Sequence, residues 1–135
     1  MTTRLLFIVI AVLVLATSCD WVEVSTVSST GDPADNHSVL PAVSDDGHVV
    51  SFSSIATNLV PGDTNGDQDI FVRDHAAGTT VRASVATSGK QGNDGSFRSQ
   101  LSDDGRYVVF HSLATNLVGG DLSLIHISEP TRPLH

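Results

Sequence analysis

Val43-Ser44-Asp45-Asp46-Gly47-His48-Val49-Val50-Ser51-Phe52-Ser53-Ser54-Ile55-Ala56-Thr57-Asn58-Leu59-Val60 returns as Leu101-Ser102-Asp103-Asp104-Gly105-Arg106-Tyr107-Val108-Val109-Phe110-His111-Ser112-Leu113-Ala114-Thr115-Asn116-Leu117-Val118, 58 residues later and without a gap. The wider units are residues 24–63 and 82–121. A fixed period with strand-like content is the mark of an array of similar supersecondary units, each burying its apolar surface against the next. The repeat therefore says more about architecture than any single motif does.

Within one unit, Ser44-Asp45-Asp46-Gly47 reads as a turn, because Asp bonds nearby backbone and Gly accepts positive φ. A strand is expected over His48–Ser53, and over Arg106–His111 in the second copy. Tyr107 and Val109 lie on one side, Val108 and Phe110 on the other. A strand wet on one face alternates cleanly, whereas one covered on both need not. Ala56–Asp63 is a loop anchored by Leu59 and Val60. Asp69–Asp74 is the next strand, His75-Ala76-Ala77-Gly78 a turn and Thr79–Thr87 a β-branched third strand. Ser88–Gly95 is a polar loop, and Ser96–Leu101 is a fourth strand leading into the next turn. The expectation is an all-β chain of about four short strands per unit, without helical periodicity beyond the N-terminal segment.

Four short strands with apolar residues on both faces describe a propeller blade. Ser-Asp-Asp-Gly-Arg-Tyr-Val-Val-Phe at 102–110 resembles the signature of TolB-like β-propeller repeats. Ala-Thr-Asn-Leu-Val-x-Gly-Asp at 56–63, with Thr64-Asn65-Gly66 and Asp69-Ile70-Phe71-Val72-Arg73-Asp74, is similar to a bacterial subfamily of them. The resemblance covers residues 24–121 and implies a ring of blades in an envelope or secreted protein, with no single reaction attached. The first copy departs near its start, where Val39-Leu40-Pro41 matches the second poorly. A parallel β-helix or a sandwich is the structural alternative, and neither readily explains a 58-residue period. About one and a half blades are expected here. A blade cannot cover its own two faces, and burying a Val, Ile or Phe is worth ~1.5–3 kcal/mol. Residues 20–121 alone are therefore expected to fold poorly or to aggregate through open edges.

The two ends stand outside the repeat. Arg4 followed by the apolar run Leu5–Ala16 reads as an export signal over residues 1–18, too short for an ordinary bilayer span of ~20 residues. Leu15-Ala16-Thr17-Ser18-Cys19 resembles the lipobox of bacterial lipoproteins, which implies lipidation of Cys19 and a membrane anchor. Ordinary signal-peptidase cleavage after Ser18 or nearby competes with it. Residues 19–23 form a short linker. Cys19 is the one cysteine of the chain, which excludes an intramolecular disulfide and a cysteine-based zinc site. At the other end, Leu122-Ser123-Leu124-Ile125-His126-Ile127-Ser128-Glu129-Pro130-Thr131-Arg132 resembles the in-frame translation of a sequencing-library adapter. Residues 122–135 are accordingly read as foreign to the repeat, and the chain as a fragment of a longer protein.

Residues 20–121 hold 5 basic and 14 acidic side chains, a net charge of −9. Such a domain repels nucleic acid and anionic surfaces. Asp63, Asn65, Asp67 and Asp69 carry oxygens at alternating positions, like the start of a calcium loop. Gly66 is fourth rather than sixth, and Asp74 stands where a bidentate Glu is usual. The competing reading is an Asx/Gly turn joining two strands. Calcium is the single cofactor candidate. His37, His48, His75 and His111 lack ligand spacing, and no Gly-x-Ser-x-Gly elbow or phosphate loop is present. The pairs Asp45/Asp46 and Asp103/Asp104 recur in each unit, which suits a turn better than a catalytic dyad.

The function expected is a non-enzymatic binding or scaffold propeller of the bacterial periplasm or cell surface. Its partner would be a protein or glycan, and its membrane contact the lipid on Cys19. The alternatives are the propeller portion of an exported peptidase-like hydrolase and a TolB-type partner of an envelope complex.

Overall fold

A computed structural model describes residues 23–120 and 125–129. The expected signal segment and Cys19 lie outside the described residues. The described chain is all-β, with two antiparallel sheets and no helix.

The first sheet runs in the order β1 (Ser38–Val43), β2 (Val49–Ser54), β3 (Asp69–Asp74) and β4 (Thr79–Arg82). The second has β5 (Ser96–Leu101), β6 (Val108–Ser112) and β7 (Ile125–Ser128). Each is a meander in which chain neighbours are sheet neighbours, as short turns between antiparallel strands dictate. β3 and β5 fall where the residue pattern puts them. The third strand stops at Arg82: Ala83 N still donates to the Ile70 carbonyl at 2.7 Å, but beyond it the chain leaves the ladder and Val85 makes an isolated bridge to Gln91. Ser96–Leu101 opens the second sheet rather than closing the first, so the boundary between sheets lies in residues 83–95.

The 58-residue period holds in the backbone. Ser38↔Ser54, Val39↔Ser53, Ala42↔Ser51 and Val43↔Val50 in the first sheet correspond to Ser96↔Ser112, Phe97↔His111, Gln100↔Val109 and Leu101↔Val108 in the second. A bulge interrupts both ladders at the same place. It gives Leu40 and Arg98 the left-handed φ values of 54° and 53°. An L-residue there costs roughly 1–2 kcal/mol. The poor match of Val39-Leu40-Pro41 thus conceals an identical backbone path.

Each sheet has two faces. On the first sheet, Val49, Ser51, Ser53, Ile70 and Val72 form the front, and Val50, Phe52 and Phe71 form the back. The front of the first sheet packs on the back of the second: Val49, Ile70 and Val72 share a core with Val108, Phe110, Ala114 and Leu117. Ser51 and Ser53 are fully buried at this junction, and neither hydroxyl has a hydrogen-bond partner among the described residues. Their small size lets β5 approach β1 and β2 closely. The back of the first sheet holds a second cluster, Phe52, Phe71, Ala56 and Leu59, with Phe52 and Phe71 stacked at 5.9 Å.

Ile125–Ser128 lies in the stretch read as foreign to the repeat, yet it pairs with β6. Val109↔Ile127 and His111↔Ile125 occupy the places of Ser51↔Val72 and Ser53↔Ile70. β6 without a neighbour leaves a row of unsatisfied backbone groups, which an extended segment satisfies. The alternation Ile-His-Ile-Ser turns both isoleucines to the front, where they are 67% and 73% exposed, and buries His126 against Phe110 at 5.7 Å.

Candidate functional site

The polar residues of the repeat build the same local structures twice. Ser44 Oγ donates to Asp46 Oδ1 at 2.6 Å and accepts from Val49 N at 3.1 Å, while His48 N donates to Asp46 Oδ1 at 3.0 Å. In the second copy Ser102, Asp104, Tyr107 and Arg106 repeat every one of these bonds. These bonds hold the Asp46 and Asp104 carboxyls below the ordinary value of 3.8, the serine hydroxyl contributing most. Asp45 and Asp103 are not paired with them as a dyad. Asp45 N instead donates to the Asp103 carbonyl at 2.9 Å, which ties the two turns together.

A second repeated device joins loops that are distant in sequence. Thr57 donates through N and Oγ1 to the Asp35 carboxylate at 2.8 and 2.6 Å, and Asn58 Nδ2 donates to the Pro33 carbonyl at 2.7 Å. The Thr57 hydroxyl and amide depress the Asp35 pKa. One unit on, Thr115 N donates to Asn93 Oδ1 at 2.9 Å and Asn116 Nδ2 to the Gln91 carbonyl at 2.9 Å in the same way, while the Thr115 hydroxyl accepts from Asn93 Nδ2 at 3.0 Å instead of donating. The Thr-Asn pair recurs because it closes a loop.

The residues proposed for calcium sit at one end of the first sheet. Asp63 Oδ1 and Asp69 Oδ2 both contact Arg82 Nη1, at 3.1 and 3.2 Å. All three side chains are at least nine-tenths buried. Asp69 Oδ1 also accepts from the Ser84 hydroxyl. Asn65 turns its Nδ2 donor toward Asp69 at 3.0 Å and the Gly92 carbonyl at 3.1 Å, while its Oδ1 accepts from Asp67 N at 3.2 Å. This set does not fit a calcium ion. A guanidinium already stands between the two carboxylates, and Asn65 presents nitrogen. Among the described residues no three His, Cys, Asp or Glu side chains gather closely enough to hold a metal.

What this cluster does is join the units. Thr64 N donates to Gln91 Oε1 at 3.2 Å, Gln91 Nε2 donates to Thr64 Oγ1 at 2.8 Å, and Arg82 Nη1 donates to the same Oε1 at 3.2 Å. Two buried carboxylates facing one cation leave an excess negative charge, and burial raises the Asp63 pKa above 3.8. Arg82, Ser84 and Gln91 escaped the sequence reading, since nothing in their spacing ties them to Asp63.

The histidines occupy separate positions. His75 takes Glu23 at 2.6 Å on Nδ1 and Ser25 at 3.0 Å on Nε2, pinning the arm that precedes β1 to the turn after β3. His111 lies 6.3 Å from the Phe97 ring. A depression of about 360 Å³ opens between residues 28–30 and 57–62, where Ser28, Thr30, Thr57 and Asn58 face Leu59 and Pro61. The chain matches no protein-family model and no curated protein.

Proposed function

We propose that the two sheets are adjacent blades of a TolB-like β-propeller, and that the protein is an extracytoplasmic binding or scaffold module of a bacterial envelope, held to the membrane through Cys19. The observation that carries this reading is the junction between sheets. Front packs on back, and each new sheet repeats the turns, bulge and loop closures of the last. Stacking of that kind is the construction rule of a propeller. The carboxylates and hydroxyls that recur with the period are engaged in turns and loop closures, which favours binding over catalysis. The hydroxyl-lined depression beside Leu59 and Pro61 supplies a surface for a protein or glycan partner.

Two measurements test the proposal. Metabolic labelling with a fatty acid should mark the wild-type chain in the membrane fraction and not a Cys19→Ser variant; label retained by the variant overturns the anchor. The uninterrupted gene should continue with further 58-residue units. A downstream nucleophile elbow followed by Asp and His would instead make the two sheets part of a hydrolase.

A further inference from the structure

The two ring nitrogens of His75 have partners of different kinds. Nδ1 meets Glu23 Oε2 at 2.6 Å, and Nε2 meets Ser25 Oγ at 3.0 Å. A carboxylate only accepts, so Nδ1 carries the ring proton and Nε2 is left to accept from the serine hydroxyl. An acid on one nitrogen and a hydroxyl on the other is the relay of a nucleophilic serine, which is recognised by geometry and not by chain order. The relay is held in place. The His75 side chain is 12% exposed, and its backbone N donates to the His48 carbonyl at 2.8 Å. The arm that carries Ser25 is fastened a few residues on, where the Ser28 carbonyl accepts from Arg73 Nη1 at 3.3 Å and Ser29 Oγ accepts from Thr80 N at 2.9 Å. The relay also occurs once. One period on, Ala83 and Val81 stand in the places of Ser25 and Glu23, whereas the polar groups of the turns recur.

We infer that Ser25 and His75 are a nucleophile and its general base for the hydrolysis of small carboxylic esters, with Glu23 positioning the ring. The inference stands apart from the blade reading. Ser25 Oγ attacks the ester carbonyl carbon as its proton passes to His75 Nε2. The bond from that carbon to the alcohol oxygen then breaks, and the alcohol leaves with the proton. Water attacks the acyl group on Ser25 and gives a proton to Nε2. The carboxylic acid departs as that proton returns to Ser25 Oγ. Glu23 stabilises the imidazolium formed in each half of the cycle. Thr26 N makes no hydrogen bond with any described residue, and the amide that follows a serine nucleophile is a usual donor to the oxyanion. Val24, 61% exposed, gives the arm an apolar surface next to the nucleophile in the chain, which suits a short acyl group.

The test treats the full chain with a fluorophosphonate probe, maps the labelled residue by mass spectrometry and follows hydrolysis of p-nitrophenyl acetate. Wild type should be labelled at Ser25 and should release p-nitrophenol faster than Ser25→Ala, which keeps the His75–Glu23 pair. His75→Gln removes the base, and both labelling and hydrolysis should fall about 10²-fold or more. Circular dichroism should show each variant folded. Glu23→Gln, at an exposed side chain, decides the matter if His75→Gln unfolds: it should slow labelling severalfold without moving the label, as expected of a positioning residue. A wild type that takes no label overturns the inference and leaves the blade reading intact. Label on another serine overturns it too. So does labelling of Ser25 at an unchanged rate in the folded His75→Gln or Glu23→Gln variant, since it means that the histidine only fastens the arm.

Discussion

Ile70 and Ile125 occupy the same position of the same sheet pattern, each opposite a front-facing residue of the second strand, and they have opposite fates. Ile70 is sealed between two sheets and Ile125 faces solvent. The glycines of the two turns show the same contrast. A Cβ on Gly47 would meet nothing within 4 Å, whereas one on Gly105 would lie 2.9 Å from Val49 Cγ2. A residue's surroundings in this protein thus depend on which sheet it lies in, even where the local sequence repeats. In a stacked array the cover is supplied by the neighbour.

Four sets of substitutions sharpen or break that comparison. The largest effect is expected from Arg82→Ala, which strands two buried carboxylates and loosens the grip on Gln91. Breaking a buried ion pair from one side costs about 3–5 kcal/mol, and chemical denaturation should show it. An effect below about 1 kcal/mol would mean that the cluster does not hold the two units together. Next comes the matched pair Ile70→Ala and Ile125→Ala. The first should lose about 2–5 kcal/mol through the cavity it leaves, the second no more than about 0.5 kcal/mol, as at other surface positions. Equal losses would show that the fronts of both sheets are covered in solution.

The glycine pair is subtler. Both turns need positive φ, 75° at Gly47 and 67° at Gly105, so either alanine costs roughly 1–2 kcal/mol of backbone strain. Gly105→Ala should cost more, because Val49 must also move; thermal melts of the two variants report the difference directly. The smallest change is expected from Asp63→Asn. Burial raises the folded-state pKa of Asp63, so its favourable contribution is fully present below its unfolded value near 3.8 and is lost as pH rises through the folded value. The substituted amide imitates the protonated acid. The variant should therefore be at least as stable as wild type at neutral pH, and its advantage should vanish as pH falls toward 3.8. A pH series of denaturation curves reads this directly. Asp35, Asp46 and Asp104 have the opposite sign. Their depressed pKa values give stability above 3.8 that is lost as pH falls through the folded values, in both proteins alike.

The parts of the fold legible beforehand are those whose physics is local. Ser44, Asp46 and Gly47 complete their turn within a few residues, and the β-branched and aromatic run after it has few alternatives to a strand. The bounds of β3 and β5 follow from the same signals. The serine-rich strand ends were harder to read, because a buried Ser51 or Ser53 has no signature apart from its neighbours. The Asp63–Asp69 loop illustrates the remaining gap. Alternating oxygens suit either a cation or a turn, and Arg82, thirteen residues beyond Asp69, settles what faces them only once β4 has folded back beside β3.

The order of residues alone determined the period, the turns, the all-β character and the pairing of both faces with apolar side chains, since each follows from contacts within a few positions or from direct repetition. The tertiary structure decided the rest. It set which face of which sheet is covered, gave the two acidic residues an arginine as their counter-ion, and brought Ile125–Ser128 to the open edge of β6. Those outcomes depend on side chains meeting across long sequence separations, and on how many neighbours each sheet has, which no local pattern encodes.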